Sequence, residues 1–147
     1  MFKKLYFKYL QRLLLFTIII LAIYMLFAKF APQLLSPNCI YLIVFFLLVI
    51  AGIHAIVIQT DAKRLDYQPD PSLSEEEQKN ALFQIEKKFI THYTIATAIK
   101  LFVFLLLLIV YAFINKTDML LFGIDFLFLY IAYSVFEIFI LKKPVTK

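Results

Sequence analysis

The sequence predicts an all-α integral membrane protein, a bundle of four transmembrane helices arranged as two antiparallel hairpins. Three observations carry this. The chain of 147 residues is 63% hydrophobic, whereas soluble domains are about 45–50% apolar. The excess falls into four blocks, each long enough to cross a bilayer core, which takes roughly 20 helical residues. The blocks are continuous and do not alternate, which rejects a closed barrel. A helix then remains the way to satisfy every peptide group in lipid. No water-soluble core is left for a second domain, so a single transmembrane domain over residues 1–147 is expected.

The apolar run Leu13–Ala31 predicts the first helix, over about residues 10–31. Before it stands MFKKLYFKYLQR, with Lys3, Lys4, Lys8 and Arg12. A basic start and an apolar run also describe a signal peptide. A cut after Ala31 would place Pro32 at the new terminus, and the run is longer than a usual signal core, so an uncleaved helix is expected. PQLLSPN forms a short turn. CIYLIVFFLLVIAGIHAIVI predicts the second helix, over about 39–60.

Composition then changes. Residues 61–88 are polar and charged, the one sizeable water-facing segment. Pro69, Asp70 and Pro71 stop any helix arriving from the second block. Ser74 followed by Glu77 is a capping-box pattern, and the glutamates Glu75, Glu76 and Glu77 suit a helix N-terminus. No breaker follows until Asn115, so one long helix over 75–114 is expected, its first turns lying outside the membrane. Leu82, Ile85 and Phe89 share a face there. That stripe packs on the lipid surface, packs on the Asp61–Pro71 segment, or offers a partner a docking surface. NKTD is a tight turn, and the fourth helix is expected over about 118–141.

Basic residues near helix ends set orientation. The N-terminal tail carries four, the middle loop has Lys63, Arg64, Lys79, Lys87 and Lys88, and the C-terminal tail has Lys142, Lys143 and Lys147. Only Lys29 and Lys116 stand by the two short turns. Both termini and the middle loop are therefore expected on the cytoplasmic side.

Four ionisable groups fall within the spans: His54, Lys100, Asp125 and Glu137. A charge at the bilayer centre costs a few kcal/mol unless it snorkels, pairs or meets water. At a rise of about 1.5 Å per residue, His54 and Lys100 lie about 9 Å deep and Glu137 about 6 Å deep. The third and fourth helices form a hairpin, so Glu137 is the expected counter-ion of Lys100, with His54 as a third member. Tyr130 and Tyr133 share a stripe with Glu137, and their hydroxyls are candidates to bond its carboxylate or line a polar seam. Thr94 and Thr97 can satisfy backbone carbonyls on the way to Lys100. Ala51, Gly52 and Ala55 surround His54 and predict close helix packing there. Asp125 lies toward the outer leaflet, with Lys29 and Lys116 as possible partners or a protonated carboxyl as the alternative. Snorkelling, structural pairing and an ion pathway are the three readings of these groups.

No metalloprotease, phosphate-loop or serine-hydrolase motif occurs. The single cysteine, Cys39, excludes an intramolecular disulfide. His54 and His92 do not have ligand spacing. No catalytic site, cofactor, metal or nucleic-acid partner is expected, and the lipid bilayer is the expected surrounding.

FITHYTIATAIKLFVFLLLLIVYAFI carries a Lys-Leu pair in an apolar helix, and FLFLYIAYSVFEIFILKK a tyrosine-rich helix with a Phe-Glu pair before a basic end. These two stretches, about a third of the chain, resemble the ATP synthase protein I family, small four-helix membrane proteins encoded beside F-type ATP synthase. The matching residues are Lys100 and Glu137. The resemblance implies a non-enzymatic accessory protein of the bacterial inner membrane that helps assemble the synthase rotor ring, with its membrane subunits as partners. Divalent-cation handling is also proposed for that family. Two other functions stand beside this one. One is a small oligomeric transporter or channel for protons or divalent cations. The other is a membrane anchor whose cytoplasmic loop recruits a soluble partner.

Overall fold

A computed structural model describes residues 2–141. It is all-helical among those residues: α1 (Phe2–Phe30), a 3-10 turn (Pro32–Leu34), α2 (Cys39–Leu65), α3 (Glu75–Ile114) and α4 (Met119–Leu141). All four α-helices are long and apolar enough to cross a membrane. The basic C-terminal tail lies outside the described residues.

Two helices exceed their expected bounds. α1 begins at Phe2, not near residue 10, and α2 runs to Leu65, not 60. The cause is the same in both. A change from apolar to charged side chains marks a bilayer boundary, but it breaks no backbone hydrogen bond. α2 closes at Leu65, where the Asp66 N–H caps the Ala62 carbonyl, a few residues before the Pro69–Pro71 turn that bars any further helix. Lys63 and Arg64 also suit the last turn of α2, where backbone carbonyls gather negative charge.

The start of α3 is set locally. The Glu77 N–H donates to Ser74 Oγ, and the Ser74 N–H donates to Glu77 Oε2 at 2.9 Å, closing the capping box. Before it, the Ser72 hydroxyl and N–H donate to Asp70 Oδ1 at 2.7 and 2.9 Å. Those donors hold the Asp70 carboxyl below the usual carboxylate range. At 40 residues, α3 is about 60 Å long, twice the hydrocarbon thickness, so its first turns project beyond the bundle.

α2 is the centre of the molecule, packed against α1, α3 and α4. Its buried face, including Leu42, Phe46, Ile50, His54 and Val57, recurs at helical spacing. Phe46 stacks on Phe104 of α3 at 4.1 Å and meets Phe126 of α4 edge-on at 5.5 Å. The opposite faces are apolar and exposed, with Leu15, Phe113 and Phe139 among them, as lipid-facing surfaces are.

The projecting part of α3 is fastened to the end of α2 by Arg64. Its Nη2 lies 2.7 Å from Asp61 Oδ1 and its Nη1 3.6 Å from Glu86 Oε2. Its guanidinium lies 4.1 Å over the Phe89 ring. Phe89 thus packs on the Asp61–Pro71 segment, while Leu82 stays exposed at the edge of a cleft against the same segment.

Candidate functional site

Each helix contributes one residue to a polar set buried near the end of the bundle that bears the middle loop: Tyr9 from α1, His54 from α2, Lys100 from α3 and Glu137 from α4. Lys100 Nζ donates to Glu137 Oε2 at 2.5 Å. His54 Nε2 lies 3.5 Å from the same oxygen. The Tyr9 ring stacks on the His54 imidazole, centroids 5.6 Å apart. Lys100 and Glu137 side chains are only 3% and 2% exposed, so the lysine does not snorkel to the surface.

The hydrogen-bond chemistry of this set is incomplete. His54 Nδ1 lies 3.2 Å from the Ile50 carbonyl, which accepts, so Nδ1 carries a proton. Nε2 then faces Glu137 Oε2 beyond hydrogen-bond distance and, among the described residues, is unpartnered, as are Glu137 Oε1 and the Tyr9 hydroxyl. Lys100 balances Glu137, and room remains in the donor and acceptor inventory for one further proton.

Of the two roles open to Tyr130 and Tyr133, bonding the carboxylate or lining a polar seam, the first does not occur. Neither hydroxyl bonds the Glu137 carboxylate. Thr17 Oγ1 donates to the Leu13 carbonyl at 2.9 Å, so Tyr133 OH, also 2.9 Å away, is the donor in the Thr17–Tyr133 pair. Tyr133 therefore ties α4 to α1. Tyr130 turns its ring, not its hydroxyl, to Lys100, with Nζ 5.7 Å from the centroid. Lysine's positive charge is drawn to the ring face. Gly52 also departs from expectation: a Cβ there would meet nothing within 4 Å, so it mediates no close helix approach. Thr94 and Thr97 do satisfy carbonyls, those of Ile90 and Tyr93, each at 2.9 Å.

Asp125 pairs with neither Lys29 nor Lys116 among the described residues. Its Oδ2 accepts from the Ser36 N–H at 2.8 Å. It belongs to a second polar set, at the opposite end of the bundle, where the Pro32–Asn38 turn meets the Asn115–Asp118 turn. Asp118 Oδ2 accepts from the Ser36 and Tyr111 hydroxyls. Tyr111 OH in turn accepts from Asn38 Nδ2 at 2.8 Å. A short backbone donor outcompetes lysines here because it needs no side chain to be ordered across lipid.

Ser36, Asn38, Tyr111 and Asp118 were not visible as a set in the sequence, because they belong to two separate turns and the end of α3. The two-hairpin topology carried the signal, since it places both turns at one membrane face. Tyr9 and Thr17 were also missed. Their signal is periodic: Tyr9, Leu13, Thr17 and Ile20 form the buried stripe of α1.

Phe46 and Phe104, both fully buried, separate the two polar sets. No three His, Cys, Asp or Glu side chains among the described residues converge to hold a metal ion. Fold and site together define a class: a four-helix membrane-spanning bundle with an enclosed ion cluster to which every helix contributes. Compared with known proteins, the chain matches no family model, no curated protein and no solved structure.

Proposed function

We propose that the chain is a non-enzymatic accessory protein that assists assembly of a membrane complex, and that the complex is F-type ATP synthase. The accessory reading rests on one observation above others. The charged set is enclosed on every helix and walled off by the stacked Phe46 and Phe104. An interior of that kind holds helices in register and offers a substrate no entry, while the exposed apolar faces are free to meet lipid or other helices. Support for ATP synthase comes from the resemblance of the 89–114 and 126–143 stretches, which includes Lys100 and Glu137. Support for an inner-membrane protein with cytoplasmic termini comes from the basic bias of the tails and middle loop.

The test is deletion of the gene in its own host, with ATP synthase resolved on native gels. The tagged chain is also purified in mild detergent and its companions identified. Membrane subunits of the synthase should copurify, and the assembled rotor ring should decline without the chain. Full assembly in the deletion strain, with no synthase subunit retained by the tagged chain, overturns the proposal.

A second reading, a small oligomeric carrier of protons or divalent cations, is favoured by the unpartnered His54 Nε2 and Glu137 Oε1 and by the Thr17–Tyr133 pair in the core. Proteoliposomes with an internal pH or magnesium dye check it: flux above that of empty vesicles, lost in Glu137→Gln, is the outcome it requires.

A further inference from the structure

A cleft of about 150 Å³ opens on the flank where α1, α2 and the end of α4 meet. Its α1 wall carries Lys8, Tyr9 and Arg12, spaced along one helical stripe. Its α2 wall carries Asp61 and Arg64, and the remaining lining is aliphatic, Ile58 and Ile140 included. Three cationic side chains thus face one acid in the lining, and Arg64 is already paired with that acid and with Glu86 beyond it, which leaves Lys8 and Arg12 unbalanced. Lys8 and Arg12 make no ion pair with any described residue.

Two further donors belong to residues that line the same cleft. The Tyr9 hydroxyl and Arg64 Nε are both buried without an acceptor among the described residues. Buried polar groups left unpaired are costly, and such groups call for a partner. The missing partner must be rich in acceptors and negatively charged. The site's position restricts it further, because the helices are membrane-spanning in length and the cleft lies at their basic end with aliphatic walls.

We propose that this cleft binds the phosphate headgroup of an anionic phospholipid. Lys8, Arg12, the Tyr9 hydroxyl and Arg64 Nε are the donors, and the acyl chains follow the aliphatic flank of the bundle. Lys8 and Arg12 then do more than bias orientation. Because the Tyr9 ring stacks on His54, a seated headgroup also holds α1 against the buried ion cluster.

The experiment uses the full chain, stripped of lipid in detergent and titrated with phosphatidylglycerol or phosphatidylcholine, with bound lipid counted by native mass spectrometry. One phosphatidylglycerol should be retained in preference to phosphatidylcholine. The double variant Lys8→Gln/Arg12→Gln should bind it on the order of thirtyfold more weakly, from about 1 kcal/mol per basic group. The double variant Lys87→Gln/Lys88→Gln, which removes equal charge outside the cleft, should bind nearly as well as the original. Tyr9→Phe keeps the ring and removes the unpaired donor, so it should weaken binding too, and it reads the same site if the first variant misfolds. Three results overturn the proposal: an equal loss in the Lys87/Lys88 control, unchanged binding in both cleft variants, or displacement of the lipid by inorganic phosphate, which would make this a soluble-phosphate site.

Discussion

Glu137 accepts from a lysine on one neighbouring helix and faces a histidine on another, and all three residues are at most 2% exposed. Removing one member of a buried pair typically costs about 3–5 kcal/mol, because the remaining charge is left uncompensated. Lys100→Met and Glu137→Leu should therefore each destabilise the bundle by that order, seen as reduced folded yield and an earlier unfolding transition in micelles. The double variant removes both charges and should cost less than the sum of the two. Simple additivity would mean that the two residues do not interact. Tyr133→Phe makes a useful contrast. It deletes an interhelical hydrogen bond whose partner, Thr17, keeps its bond to the Leu13 carbonyl. Such bonds in membranes average about 0.6 kcal/mol, so the expected loss is small, and a loss comparable to Lys100→Met would contradict the assignment of Tyr133 as a tether between α1 and α4.

α3 is the element whose two halves obey different physics. Its outer turns are held by the Ser74 capping box and by Arg64, and its inner turns by packing on α2. Ser74→Ala removes the side-chain acceptor and should cost about 1 kcal/mol. The cost should be local. Amide hydrogen exchange at Glu77 and Gln78 should quicken, while exchange around Lys100 stays as it was. Uniform quickening along α3 would show that the projecting turns and the membrane half unfold together. The capping box was legible in four residues because its donors and acceptors are all sequence neighbours. The ends of α1 and α2 were less legible, since polarity reports where lipid stops and the helix itself continues past that point.

At the scale of the whole molecule, the two hairpins place the 66–74 loop and the N-terminal end of α1 at one end of the bundle and the Asn115 turn at the other. With the native thiol removed by Cys39→Ala, Ser72→Cys should be protected from a membrane-impermeant thiol reagent in intact cells and Asn115→Cys should react. Labelling at Ser72 from outside would reverse the orientation argued from the basic residues. α2 decides how the hairpins meet. It packs most extensively against the other helices, and its Phe46 lies between the two polar sets.

The sequence by itself determined that this chain is a helical membrane bundle, where its hairpins turn, and that Lys100 and Glu137 lie within about one helical turn of each other in depth. Those properties depend on hydrophobic run length, breakers and the fixed rise of a helix, all of which are local. Rotation of each helix about its axis was decided by the tertiary structure, because in a mostly apolar segment a few polar residues mark the inward face only coarsely. That rotation sends Tyr133 to Thr17 and not to Glu137, turns Gly52 outward, and brings Tyr9 onto His54. It also gathers Ser36, Tyr111 and Asp118 from separate segments into one network. Side-chain packing and the need to satisfy buried donors choose among rotations that hydropathy leaves equivalent.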